Sequence, residues 1–266
     1  MCRHLAYLGP PVSLQSLLID PPQGLYRQSW APRFQRYGTV NADGFGVGWY
    51  ADGDPVPARY RRGIPIWGDP SLPDIARVTQ SGAVLAAVRS ATVGMAPGES
   101  AAAPFGSATW LFSHNGVLDG WPGGEWLASV RDEGRDVFPA MEAVTDSAYL
   151  WALVLGRLQA GLAMGAALAA TIATVHAAGG RGRLNFLATD GRSIAATSCG
   201  DTLFYRTDAH SVTVASEPSD DAPGWTEVAD GQLLTAIRGK VDLRPLFDVV
   251  EGDVPEGPLS EGIVLK

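Results

Sequence analysis

Residues 1–9 read MCRHLAYLG, and the run RHLAYLG within them has the texture of a buried strand that begins as soon as the chain does. The strand carries one of only two cysteines in 266 residues, at position 2. On a strand Cys2 and His4 face the same way. A closed metal site needs about four ligands. No CxxC or HxxxH spacing accompanies Cys2, and His114, His176 and His210 are scattered, so neither a metal nor a cofactor is predicted. Two readings of Cys2 stay open on these residues. It is either a small buried strand residue or a nucleophile. Removal of Met1 would place an α-amine on the same residue as the thiol. An α-amine, with a model-peptide pKa of about 7.7–8.0, is a usable base near neutrality.

Strand signals recur outward from this stretch. FGVGWY (45–50) and ARYRRG (58–63) alternate like a pair joined by the turn ADGDPVP. AVLAAVRSA (83–91) and ATWLFSHNG (108–116) read as buried strands. RLNFLATD, RSIAATSC, TLFYR and SVTVASE between 183 and 217 are separated by turn residues at hairpin spacing. Helices are predicted over SLQSLLI with Ser13 as N-cap, over about 72–80, over GEWLASVRDE (124–133), and over about 146–159 and 164–178. The last two are apolar, and a pair of buried helices turning near Gly161 describes them better than a membrane span. GFGVGW resembles a dinucleotide loop only superficially, since it opens no helix. The pattern predicts an α+β fold, two antiparallel sheets packed face to face with helices outside. Uniform texture predicts one domain over 2–250, followed by a loose acidic, Pro/Gly-rich tail at 251–266.

Composition narrows the partners. The net charge is −8 and Lys240 and Lys266 are the lysines, so a face for nucleic acid or anionic lipid is not predicted. Two cysteines make no disulfide framework, and no signal-peptide pattern leads the chain, which together predict a reducing, cytoplasmic setting. Oligomeric state is left open.

Three further stretches bear on chemistry. Asn115-Gly116 at the end of FSHNG is either a hairpin turn or a pair of oxyanion donors, an amide side chain beside a closely approaching backbone N–H. Arg89 in VRSATVG is either a solvated strand end or a bidentate clamp for a carboxylate. Asp146 in VTDSAYLW is either a helix N-cap or a partner for an ammonium group. An arginine and an aspartate together could grip the α-groups of an amino acid while the thiol attacks its side-chain carbonyl.

With MCRHLAYLG, NADGFGVGWY, VRSATVG, FSHNG, TDS, LNFLATDG and VASEP in this order over about residues 2–218, the chain resembles the class II, N-terminal-nucleophile glutamine amidotransferases. The resemblance implies a four-layer αββα sandwich. It implies Cys2 as nucleophile with its own α-amine as base, Asn115 and Gly116 as oxyanion hole, Arg89 with Thr92 beside it for the α-carboxylate, and Asp146 for the α-amine. It also implies a small-molecule γ-glutamyl substrate. The glutaminase-like region takes up nearly all of these residues, so no synthase domain that would use ammonia is predicted, and RRGIPIW and the opening stretch look most like the ergothioneine-biosynthesis branch of the family. That branch hydrolyses γ-glutamyl-hercynylcysteine sulfoxide to glutamate. A stand-alone glutaminase feeding a separate synthase is the alternative. Because that leaving group carries a quaternary ammonium, Trp30 and Trp67 are candidates for a cation–π wall, or else core aromatics.

Overall fold

The computed structural model describes residues 2–91, 98–127 and 141–248. Thr92, most of the helix expected over 124–133 and the tail 251–266 lie outside the described residues. In chain order the elements are β1 (Arg3–Ser13), α1 (Leu14–Leu18), α2 (Leu25–Gln28), β2 (Phe45–Trp49), β3 (Ala58–Arg62), α3 (Leu72–Val78), β4 (Gln80–Val88), β5 (Phe105–Ser107) and β6 (Trp110–Leu118). There follow α4 (Asp146–Gln159), α5 (Met164–Ala177), β7 (Gly182–Thr189), β8 (Ile194–Ser198), β9 (Phe204–Thr207), β10 (Val212–Ala215), β11 (Thr226–Glu227), β12 (Gln232–Ile237) and β13 (Lys240–Pro245).

The strands form a seven-stranded sheet, ordered β11-β9-β10-β1-β4-β2-β3, and a six-stranded sheet, ordered β13-β12-β8-β7-β6-β5. Every pairing between neighbours is antiparallel. The period-2 alternation sorts each strand's residues between two faces. Ala6, Leu8 and Leu85 of the first sheet meet Leu111, Leu187, Ala196 and Leu234 of the second. The opposite face of the first sheet, with Leu5, Tyr7, Val84 and Ala86, packs against Leu14, Leu18, Leu25 and Leu72 of α1–α3. The opposite face of the second, with Phe112, Leu184 and Phe186, packs against Trp151, Leu155, Leu168 and Ile172 of α4 and α5. The result is the αββα layering that the sequence predicts.

Local chemistry explains the joints. Ser13 caps α1 by accepting the Ser16 N–H at 3.1 Å. Gly161, at φ +92°, turns α4 into α5, and both helices are largely buried. Among the described residues no helix is long and apolar enough to cross a membrane. GFGVGW lies in β2, as the sequence predicts. A Cβ on Gly46 would fall on the Ala103 carbonyl and one on Gly48 would strike Leu111 at 2.6 Å. These glycines let the two sheets approach each other.

Phe112 is fully buried and stacks on Trp151, ring centres 5.3 Å apart, joining the second sheet to α4. Phe112→Ala is expected to lower unfolding free energy by about 3–5 kcal/mol. Urea titration followed by far-UV circular dichroism measures it.

Candidate active site

β1 starts and β4 ends at the same edge of the sandwich, because the two are antiparallel with Arg3 opposite Val88. Cys2 precedes that first pair and Arg89 follows it. Alternation turns His4 toward the second sheet together with Ala6 and Leu8. It likewise turns Ser113 and Asn115 toward the first sheet together with Leu111. The two strands meet in this layer. The backbone nitrogen of Cys2 donates to Asn115 Oδ1 at 3.2 Å. His4 Nδ1 lies 3.2 Å from Ser113 Oγ. Ser216, just past β10, ties both strands. Its Oγ accepts the His4 N–H at 3.0 Å and lies 3.5 Å from Asn115 Nδ2, while its own N–H goes to the His4 carbonyl at 2.9 Å. With Oδ1 facing the Cys2 nitrogen, Asn115 presents Nδ2 as its donor.

Asn115-Gly116 is not a hairpin turn. β6 runs through it to Leu118, with Asn115 opposite Asn185 and Gly116 opposite Leu184. Leu184 sends its N–H to the Cys199 carbonyl at 2.8 Å instead of to Gly116. The Gly116–Leu184 pair is therefore a non-hydrogen-bonded one, and the Gly116 N–H points away from β7. A Cβ at position 116 would fall on the Arg183 carbonyl. Only glycine fits there.

Asp146 is the first residue of α4 and not its cap. Thr145 is the cap, its Oγ1 accepting the Ala148 N–H at 3.1 Å. The Asp146 carboxylate accepts the Leu118 N–H at 3.1 Å on one oxygen and the Ser147 N–H at 2.7 Å on the other. One backbone donor from the end of β6 and one from the first turn of α4 thus hold the carboxylate in place at the helix N-terminus. Arg89 is 8% exposed, and its guanidinium donates to the Asp43 carbonyl at 3.3 Å. Cys2, Arg89, Ser113, Gly116, Asp146 and Ser147 line one cavity, with Asn115 buried directly behind Cys2. A thiol, a guanidinium and a carboxylate share that space.

Trp30 and Trp67 are not among the residues lining this cavity. They pack edge to face on each other, centroids 5.6 Å apart; Tyr26 also packs edge to face on Trp30, and Trp67 is 40% exposed.

Two buried histidines flank the site. Burial, aided by the neighbouring charge of Arg3 and by His114, pushes His4 down to about 3, so its imidazole is neutral at working pH. Burial also lowers His114, against the opposing pull of the Asp146 carboxylate. His114 bridges Ser147 Oγ at 3.0 Å and the Arg183 carbonyl at 2.9 Å.

Residues 27–211 match the family model of class-II glutamine amidotransferases. The chain belongs to that family. It is 45% identical, over 92% of its own length and all of the other's, to the γ-glutamyl-hercynylcysteine sulfoxide hydrolase of Mycolicibacterium smegmatis. A class-II glutamine aminotransferase domain protein from Silicibacter pomeroyi superposes with a TM-score of 0.62 at 26% identity, covering 92% of this chain and 99% of that one. The glutamine phosphoribosylpyrophosphate amidotransferase of B. subtilis shares the fold, with a TM-score of 0.65 at 16% identity over 94% of this chain and 50% of that one.

Ser113, Ser147, Ser216, Glu217 and Arg3 carry no role that the sequence alone assigns. Ser216 and Glu217 sit within VASEP, which was matched as a motif without a role for each residue. The signal for Arg3 was a charge at the head of an otherwise apolar strand.

Two outcomes follow from the geometry. Gly116→Ala is expected to cut activity by about 10²-fold or more, read as kcat, because the added methyl forces β6 off β7 beside the donor N–H. For His4, the folded value of about 3 lies below the unfolded value of about 6.5. The stability tied to it is whole above pH 6.5 and drains as pH falls toward 3. His4→Gln is expected to flatten that acid limb by about 2–3 kcal/mol at pH 4.5, measured by urea titration across pH.

Proposed function

We propose that this amidotransferase-family protein is a hydrolase of γ-glutamyl amides, with γ-glutamyl-hercynylcysteine sulfoxide as its substrate and Cys2 as its nucleophile. Two facts support the reading: the 45% identity to a hydrolase of that name across its full length, and the cavity shared by Cys2, Arg89 and Asp146. The observation that carries the chemistry is the 3.2 Å bond from the Cys2 nitrogen to Asn115. It sets the future α-amine, the thiol and the amide donor around one point.

In this reading Met1 is removed and the α-amine of Cys2 takes the thiol proton, directly or through a water. Sulfur attacks the γ-carbonyl carbon, and the carbonyl π pair moves onto oxygen. Asn115 Nδ2 and the Gly116 N–H stabilise that oxyanion. The C–N bond then breaks, and the ammonium returns its proton to the leaving nitrogen. A γ-glutamyl thioester is left on Cys2. Water, deprotonated by the same amine, adds to the thioester carbonyl. The C–S bond breaks, sulfur regains a proton and glutamate leaves. Arg89 pairs with the substrate α-carboxylate and Asp146 with its α-ammonium, which fixes the γ-carbonyl over sulfur. Thr92 is assigned beside Arg89 by motif alone. Trp30 and Trp67 form no part of this reading, since they contact each other and not the cavity. We assign the enzyme to the cytoplasm, a reading supported by two cysteines that are both free thiols.

Glutamate release tests the proposal. With γ-glutamyl-hercynylcysteine sulfoxide the wild-type protein is expected to turn over at least about 10²-fold faster, in kcat/KM, than with free glutamine. Cys2→Ala should release none from either. Faster release from glutamine would make the protein a glutaminase, and undiminished release by Cys2→Ala would remove Cys2 from the mechanism.

A further inference from the structure

Cys2 stands beyond the last rung of both ladders that hold β1. The first pair with β4 is Arg3 opposite Val88, and the first with β10 is Leu5 opposite Ala215. A residue that becomes the chain terminus is bonded covalently to the fold only from its carbonyl side. Its backbone can swing unless something grips that carbonyl. Here Arg3 Nε donates to the Cys2 carbonyl oxygen at 2.8 Å.

The guanidinium that makes this bond lies between two carboxylates. Its side chain is fully buried. One terminal nitrogen lies 3.4 Å from Asp201 Oδ1, and the other lies 3.4 Å from Thr202 Oγ1 and 3.7 Å from Glu217 Oε1. Both carboxylates are fully buried as well. The shell continues outward. Asn185 Oδ1 accepts the Asp201 N–H at 3.0 Å, and Glu217 Oε2 accepts the N–H groups of Arg33 and Phe34 at 2.6 and 3.1 Å. Buried ions are a poor source of stability, and apolar residues of like volume often serve a core better. Arginine suits the task because its planar fork fixes the direction of Nε while the terminal nitrogens are held, which a lysine cannot do.

We propose that Arg3 is a positioning residue for the nucleophile, gripping the Cys2 carbonyl while Glu217 links that grip to the loop at Arg33 and Phe34. The inference rests on the reading of Cys2 as the nucleophile. Asn115 Oδ1 holds the nitrogen of Cys2 and Arg3 Nε holds its oxygen. With both ends fixed, the amine and the thiol keep one geometry relative to the Asn115 and Gly116 donors. With the carbonyl released, the residue pivots about its nitrogen contact. A displacement of about 1 Å at a reacting group can lower a rate by about 10²-fold.

Arg3→Lys separates positioning from folding. It keeps a cation between Asp201 and Glu217 and loses the directed Nε–H. The full-length protein is expected to fold, to lose Met1 by intact mass, and to show kcat reduced about 10–100-fold with KM within about 3-fold. The rate of Cys2 alkylation by iodoacetamide, followed across pH, should move toward that of an unstructured N-terminal cysteine peptide. A purely structural arginine leaves that profile unchanged. If Arg3→Lys does not fold, Glu217→Gln provides the measurement. It still accepts the Arg33 and Phe34 N–H groups, and a smaller fall in kcat with the same alkylation change is expected. A folded Arg3→Lys, or a folded Glu217→Gln where the first fails, whose kcat and alkylation profile stay within about 2-fold of wild type overturns the proposal. Cys2→Ala, run alongside, keeps the two claims apart. If it is active, the nucleophile is wrong. If it is inactive beside an unimpaired Arg3→Lys, only the positioning role falls.

Discussion

A single hydrogen bond, from the backbone nitrogen of Cys2 to Asn115 Oδ1 at 3.2 Å, joins residues 113 positions apart, one at the head of β1 and the other inside β6. Each of its ends belongs to a different sheet, so it exists only if the two sheets are stacked in one register. That register comes from the inner apolar layer. Ala6, Leu8, Leu85, Leu111 and Leu187 interdigitate there, and Gly48 lets Leu111 close in. Slip either strand by one residue and its side chains exchange faces. His4 and Cys2 would turn out of the layer, and Ser113 and Asn115 would turn toward α4. The site is therefore a property of sheet stacking before it is a property of any loop.

What surrounds this bond is unusually polar for a protein interior. His4, Ser113, Asn115 and Ser216 are all fully buried and hydrogen-bonded to one another, and burial lowers the pKa of both His4 and the neighbouring His114. Next to them the Arg3 guanidinium faces the Asp201 and Glu217 carboxyl groups, and all three side chains are fully buried. Desolvating such groups costs free energy that apolar packing elsewhere must offset. The apolar layers on either side, with Leu5 and Val84 outside one sheet and Phe112 and Trp151 outside the other, supply that packing. Rigid polar surroundings are what a reaction needs when thiol, base and oxyanion donors must share one spot.

Much of the fold was legible in local sequence because its strands alternate cleanly and its turns are marked. RHLAYLG, FGVGWY and LNFLATD each pair as their patterns imply, and Ser13 caps the helix it precedes. β5 and β11 escape the sequence reading because they are only three and two residues long, and β13 because KVDLRP is too polar to stand out; β12, QLLTAI, carries an apolar run that the reading passes over. Asn115-Gly116 shows why turn statistics mislead. The dipeptide favours a hairpin locally, yet pairing with Asn185 and Leu184 carries the strand straight through it. Of the two readings of Asp146 the cap falls away, since Thr145 takes the capping role and leaves Asp146, the first residue of the helix as expected, with both oxygens on backbone donors. Arg3 could not be interpreted from its neighbourhood at all. Its partners Asp201 and Glu217 come from the turn after β8 and the end of β10, and only the folded topology brings them to the head of β1.

The central claim is that Cys2 becomes the chain terminus and carries the γ-glutamyl group. Acid-quenching the wild-type enzyme within its first turnover of γ-glutamyl-hercynylcysteine sulfoxide, then mapping peptides by mass spectrometry, tests it most directly. The account predicts an N-terminal peptide that begins at Cys2, lacks Met1 and bears one γ-glutamyl group bound as a hydroxylamine-labile thioester. An active enzyme that retains Met1, or a label found on any other residue, would contradict it.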